Sequence, residues 1–245
     1  MKEIVLNAKV SENESYNSKF MYPEGGAIEF INAIASEVDT SKIRLNTSVE
    51  KINLEHKTIT LSTGEVLPYD KLINTAPITN LYKMTDLDFV ADHYSSNSVL
   101  VFNLGFDKPA NFNHHWVYFP DKKTSFYRIG YYNNILSEDK MSLYVEVGAP
   151  SGTKVEPDEL LSSVLDDLRE LKIVTDQNLV DWQFIKMDPA YVHINKFSEA
   201  DKAKKKTILE QSSVYSIGRY GSWTYCSIED NIIEAKELVS KNESQ

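Results

Sequence analysis

Residues 214–239 form the stretch whose residue types and spacing could do chemistry. Val214 to Ile217 is short and apolar, Gly218 to Cys226 (G-R-Y-G-S-W-T-Y-C) carries two glycines, and Ile228, Ile232, Ala235 and Val239 recur at helical spacing. The pattern predicts strand, loop and helix. Ser227 stands where an N-cap belongs, and Glu229 and Asp230 fall in the first turn. A helix N-terminus presents unpaired N–H groups and partial positive charge, and after a glycine turn it suits an anion. Arg219 adds a guanidinium with the fork geometry of a phosphate ligand. Spacing alone leaves two readings open, a site for a phosphate-bearing ligand and a plain strand-to-helix turn with a surface arginine.

Other reactive types carry less. His114 and His115 are adjacent in a strand-like stretch and so point to opposite faces, and no carboxylate or cysteine stands near them at ligand spacing, so no metal site is expected. Cys226 precedes the cap of the last helix, a position that lowers a thiol pKa, but no histidine neighbours it in sequence. No G-x-S-x-G is present. Tyr118, Tyr127, Tyr131, Tyr132 and Tyr144 crowd the middle of the chain; cross-strand packing is favoured over a tyrosine-lined cavity, and alternation lets some do each. Arg128 among them faces either an anionic substrate or solvent, with solvent slightly preferred.

The elements that must position these residues are legible in the periodicity. Met1 to Lys19 reads as a polar, irregular, extended segment, and Pro23 and Gly25-Gly26 punctuate the start of an amphipathic helix over 27–38. Residues 44–54, 58–62 and 65–67 alternate as an antiparallel meander turned at Glu55-His56-Lys57 and Thr63-Gly64. Residues 70–76 are an apolar strand ended by Pro77, of the kind buried in a parallel sheet. Residues 99–104, 116–119, 126–132 and 142–147 read as an antiparallel sheet, followed by a helix from Pro157 to about Leu171 and a strand over 179–186. The lysines of 202–206 read as a solvated face.

Composition bounds the rest. The 245 residues suffice for one large or two small domains; 42% are hydrophobic and 25% charged, as in ordinary globular chains. A net charge of -10 argues against a phosphate backbone as general partner. One cysteine excludes an intramolecular disulfide and a multi-thiolate zinc site. Without an apolar run of membrane length or a signal-peptide pattern, a cytoplasmic protein with no membrane span is expected. Glycine is scarce, 9 residues, and these nowhere form G-x-G-x-x-G.

The string Y-S-I-G-R-Y-G-S-W-T-Y-C-S-I-E-D-N-I-I-E-A resembles the C-terminal flavin motif of the amine oxidase superfamily, in the branch related to protoporphyrinogen oxidase and UDP-galactopyranose mutase. Phe20 to Gly26, Val49 to Pro77 and Asn97 to Leu104 are similar to further family segments, in the family's order. The resemblance implies an α/β (α+β) fold: a partial FAD-binding Rossmann-type layer from 1–76 and 205–245, and a substrate-binding domain with an antiparallel sheet from 77–204. It implies FAD as cofactor, with Val49 at the adenine end, Gly218 and Arg219 at the pyrophosphate, and Asp230, Asn231 and Ile232 against the flavin and ribityl chain. It also places Gly25 and Gly26 at the flavin ring, and Trp223 and Tyr225 beside the substrate cavity, without identifying catalytic residues. Hydride transfer from a small-molecule substrate to flavin is the implied reaction, with mutase-like sugar-nucleotide isomerisation as the alternative. Family chains begin with a βαβ unit carrying G-x-G-x-x-G; its absence here implies a truncated chain, a split gene product or a decayed copy, one that needs a partner half or is non-catalytic.

Overall fold

In a computed structural model, residues 21–243 are described; the expected extended segment 1–19 lies outside them. They divide into two compact units, 21–42 with 98–188 and 43–97 with 189–243. This differs from the boundaries at 76/77 and 204/205 read from the sequence, because the division falls inside two long strands, Ser95–Phe106 (β5) and Leu179–His193 (β9). Among the described residues, no helix is long and apolar enough to cross a membrane.

The first unit begins with helix α1, Ile28–Ala35, which has no buried residue: Ile28, Ile31 and Ile34 are each about half exposed. Its main body is a five-stranded sheet in the order β6-β7-β8-β5-β9, with Trp116–Tyr118 as β6, Arg128–Tyr131 as β7 and Ser142–Pro150 as β8. β6, β7 and β8 pair antiparallel, with Arg128 opposite Glu146 and Gly130 opposite Tyr144. Alternation then sorts the two faces. Ile129, Tyr131, Leu143, Val145 and Val147 turn to a core shared with Leu161, Val164 and Leu168 of helix α4, Pro157–Glu170. Pro157 occupies the first turn of that helix, where its missing N–H costs nothing. A short helix, Tyr132–Leu136 (α3), follows β7.

The second unit holds the meander Val49–Asn53 (β1), Thr58–Leu61 (β2) and Val66–Pro68 (β3), antiparallel in that order. Leu72–Asn74 (β4) pairs in parallel with Val214–Ser216 (β10). The parallel partner expected for β4 is present, but the burial is not: Ile73 is 53% exposed. Helix α2, Ile78–Met84, which the periodicity does not announce, and helix α5, Lys196–Gln211, contribute Ile78, Leu81, Tyr82 and Leu209 to a core with Ile52, Val214, Tyr94 and Trp223. α5 starts on a capping box, Asn195 with Ser198. The lysine run on it is not one solvated face. Lys205 is 4% exposed, its Nζ 2.6 Å from Asp201 Oδ2 and 4.4 Å above the Tyr82 ring, and Lys202 is mostly buried as well. At 3.6 residues per turn, Lys204 and Lys206 face outward while 201 and 205 share the inner side.

Candidate functional site

The site grows from the end of β10. Ile217 N–H donates to the Asn74 carbonyl, and Asn74 Nδ2 donates to Ser216 Oγ, whose hydroxyl reaches the Gly221 carbonyl. These bonds fold Gly218–Gly221 into a single helical turn (α6) against the end of β4. A Cβ at Gly221 would lie 2.8 Å from the Asn74 carbonyl oxygen, so the approach needs glycine. Gly218 has a φ of 82°, the left-handed value that starts the turn. Lys202 Nζ bonds the Ser222 and Trp223 carbonyls and holds the loop's far end.

Helix α7, Ile228–Glu243, follows, and the expected N-cap forms. Ser227 Oγ accepts the Asp230 N–H, and Asp230 Oδ2 accepts the Ser227 N–H and hydroxyl. These donors hold the Asp230 carboxyl below the usual carboxylate range. Ser227→Ala is expected to cost about 1 kcal/mol of stability, read as a lowered urea midpoint with an unchanged slope.

Arg219 is the centre of the arrangement. Its guanidinium carbon lies 5.2 Å from the Tyr191 ring centroid and 4.8 Å from that of Tyr225, and the two rings lie 20° from parallel. Nη1 donates to the Cys226 carbonyl at 3.3 Å. The two rings, with centroids 6.3 Å apart, hold the guanidinium beside them at the foot of α7, while Tyr225 stays 71% exposed. Cys226 behaves otherwise than its place before a cap suggests: burial pushes its thiol up, in spite of the nearby Arg219 cation.

The first two backbone donors of the turn are already bonded. Gly218 N–H donates to Glu234 Oε2 at 2.7 Å, Ser222 Oγ donates to Glu234 Oε1, and Arg219 N–H donates to Asn231 Oδ1. A pyrophosphate expected at Gly218 would meet the Glu234 carboxylate there. Of the turn's donors, the Arg219 guanidinium therefore fits the anion best, and the amides of 218 and 219 fit it only when Glu234 and Asn231 give way. No sequence rule flags Glu234, which lies two helical turns beyond the cap. Glu234→Gln keeps an acceptor for Gly218 but removes the charge. It is expected to tighten ADP binding about three- to tenfold, measured by calorimetry.

The remaining expected residues divide between the units. Val49 opens β1, an edge strand of the meander, so its strand has a backbone side without a sheet partner among the described residues. Asp230 and Asn231 stand in the first turn of α7 and Ile232 opens the second, 40% exposed. Gly25 and Gly26 belong to the first unit, just before α1. Trp223, expected beside a substrate cavity, is instead a core residue: it is 2% exposed and packs edge-on against Tyr94 at 5.5 Å. A backbone φ of 47° at Trp223 turns the indole into the core while Tyr225 points out. Among the described residues no group of histidine, cysteine, aspartate and glutamate could hold a metal ion. A cavity of about 1120 Å³ beside the loop is bounded by Glu199, Glu210, Glu234 and Glu237 against Lys202, Lys206 and Lys241, a balance that does not favour an anion.

Comparison with known proteins agrees with these elements. The family described as flavin containing amine oxidoreductase matches residues 7–232. Among solved structures, reduced UDP-galactopyranose mutase superposes with a TM-score of 0.75 at 26% identity, over 83% of this chain and 48% of that one. A protein described as a protoporphyrinogen oxidase from Exiguobacterium sp. 255-15 gives 0.72 at 18% identity, over 90% and 51%. Putrescine oxidase bound to putrescine gives 0.64 at 12% identity, over 90% and 53%. The last two show likeness of fold alone. The chain spans about half the length of each of these structures.

Proposed function

This chain belongs to the flavin containing amine oxidoreductases, and from that premise we propose that it is the part of an FAD-dependent oxidoreductase that carries the C-terminal cofactor loop and the substrate sheet. Bound FAD supplies the hydride acceptor for a substrate carbon. The chain's residues bind and orient. Arg219 would hold the pyrophosphate, Asp230, Asn231 and Ile232 the ribityl chain and flavin, and Val49 the adenine end; Gly25 and Gly26 would serve the ring. Tyr225, open to solvent, borders the substrate. The observation that carries the reading is the Arg219 guanidinium held beside the paired rings of Tyr191 and Tyr225, 5.2 and 4.8 Å from their centroids, at the start of α7. A cytoplasmic setting belongs to the same reading, which the single cysteine suits.

A second reading has its own support. The 26% identity with UDP-galactopyranose mutase favours flavin-dependent isomerisation of a sugar nucleotide without net redox change. Product analysis separates the two. The flavin-loaded, reduced protein is incubated with UDP-galactose; the oxidoreductase reading expects no ring isomer, and accumulation of one would establish the isomerase in its place.

Both readings call for a more complete sheet. A two-stranded parallel pair is too small to stand alone, and parallel strands are ordinarily covered on both faces. Ile73 on β4 and Ile228, Ile232 and Val239 on α7 are 40–63% exposed. We infer that a βαβ segment, from the same polypeptide or another, adds a parallel strand beside β4 and lays its helix on α7. The 245-residue chain should then enhance the emission of an apolar dye such as ANS; a monomer with no enhancement would argue that these surfaces need no cover.

A further inference from the structure

The face of the five-stranded sheet turned away from α4 carries a cluster that the flavin reading does not use. Arg128, Gly130, Tyr144 and Glu146 point to this side, as alternation requires when Ile129, Tyr131, Leu143 and Val145 fill the core. Tyr118 of β6 stands opposite Arg128, and Trp116 opposite Gly130. The Tyr144 ring lies over Gly130 so closely that a Cβ there would come within 1.9 Å of it. Tyr132 packs on Tyr144 with centroids 5.0 Å apart. The result is a surface of rings around one guanidinium.

The charge of that guanidinium is already countered, although its buried Nε has no hydrogen-bond partner among the described residues. Glu146, whose side chain is 8% exposed, accepts a hydrogen bond from Arg128 Nη2 with Oε1 and one from the Tyr127 hydroxyl with Oε2. Arg128 Nη1 donates to Tyr118 Oη at 3.1 Å, and its guanidinium carbon sits 5.5 Å from the Tyr118 ring and 6.0 Å from the Tyr144 ring. Burial works against the arginine's charge, but the bonds to Glu146 and Tyr118 outweigh it and hold the guanidinium protonated. A phosphate brought to Arg128 would meet a carboxylate with both oxygens engaged and little water around it, and like charges at such range repel strongly where solvent is excluded. The most exposed ring of the cluster is that of Tyr118, a residue 43% exposed.

We propose that this sheet face selects a neutral, ring-bearing substrate, and that Glu146 is the specificity residue, excluding phosphorylated ligands by neutralising Arg128. The ring stacks on tyrosine faces, which offer flat contact and hydroxyls without net charge. The proposal deepens the oxidoreductase reading and rests on it for the word substrate, but its test reads binding rather than turnover.

The test uses the 245-residue chain and two probes followed by tryptophan emission: UDP, a charged nucleotide, and menadione, a neutral bicyclic ring. Menadione should bind saturably to the wild type and about fivefold more weakly to Tyr118→Ala. UDP should show no binding that depends on Arg128. Glu146→Gln frees the guanidinium while keeping an isosteric acceptor, and it should gain UDP affinity by about tenfold. The double variant Glu146→Gln/Arg128→Gln should lose that gain. A wild type that already binds UDP and loses it in Arg128→Gln would overturn the proposal, and so would a folded Glu146→Gln with no gain. Should Glu146→Gln not fold, the Arg128→Gln single variant still decides, since the proposal expects it to leave UDP binding unchanged. Arg128-dependent UDP binding without ring isomer in the product assay would sink this proposal and leave the oxidoreductase reading standing.

Discussion

Lys205→Met should lower stability by about 3–5 kcal/mol, a large effect for a residue in a run of lysines. The variant keeps the length and the apolar stem but strips the partner from a carboxylate that is itself mostly buried, with Asp201 14% exposed at the side chain. Tyr94 Oη, 2.8 Å from Asp201 Oδ2, remains as a donor but brings no charge. Urea unfolding reads the loss as a lower midpoint. The double variant Asp201→Asn/Lys205→Met should recover most of it, because a buried pair replaced as a whole is often neutral. A loss under about 1 kcal/mol would mean the pair behaves as a surface ion pair. The same pair sets a pH dependence. Burial works to raise the Asp201 pKa, but the hydrogen bonds from Lys205 and Tyr94 outweigh it and lower it below the ordinary value of 3.8. With the folded value depressed, the contribution is complete above about pH 4 and falls away as pH drops through the folded pKa. Acid titration of the wild type should therefore show a loss of stability below about pH 4 that Asp201→Asn does not share.

Arg219→Ala should weaken FAD binding about a hundredfold, the effect of removing roughly 3 kcal/mol of charge-assisted hydrogen bonding. Arg219→Lys should restore little. A point charge on a flexible stem neither packs as a planar cation beside Tyr191 and Tyr225 nor presents two parallel donors. Flavin fluorescence titration of the three proteins reads the difference. Equal affinities for wild type and Arg219→Ala would remove the arginine from the cofactor site. If the effect came only through loop disorder, Arg219→Ala would also lower the thermal midpoint by several degrees. Direct contact with the pyrophosphate predicts a small shift instead, since among the described residues Arg219 spends one side-chain hydrogen bond on the fold.

The parts of this structure governed by local rules were legible in the amino acids. The meander follows from strict alternation broken at Glu55-His56-Lys57 and Thr63-Gly64. Helix α4 follows from Pro157 and an apolar stripe, and α7 from Ser227 and its acidic first turn. What escaped depends on tertiary context. β5 and β9 run 12 and 15 residues, longer than their apolar cores at 99–104 and 179–186 suggest, because polar positions such as Ser95 and Asp188 are carried along by pairing rather than by pattern. The boundaries at 76/77 and 204/205 came from the family resemblance, whereas the compact units divide within those strands. Lys205 is buried because Asp201 and the Tyr82 face meet it, which a charge count cannot show. Trp223 and Tyr225 looked alike two positions apart, and only the left-handed backbone at Trp223 separates core from surface. Glu146 opposite Arg128 was within reach of sequence reasoning, since both lie in strands on the face opposite the apolar residues; the register between the strands was the missing piece.

The most direct measurement is a titration of the purified 245-residue chain with FAD, followed by flavin absorbance and fluorescence. Saturable, micromolar binding is expected, weakened about a hundredfold in Arg219→Ala and tightened in Glu234→Gln. Absence of any saturable change in the flavin signal at millimolar protein would contradict it, and would mean that the G-R-Y-G-S-W loop and α7 do not hold the cofactor by their own residues.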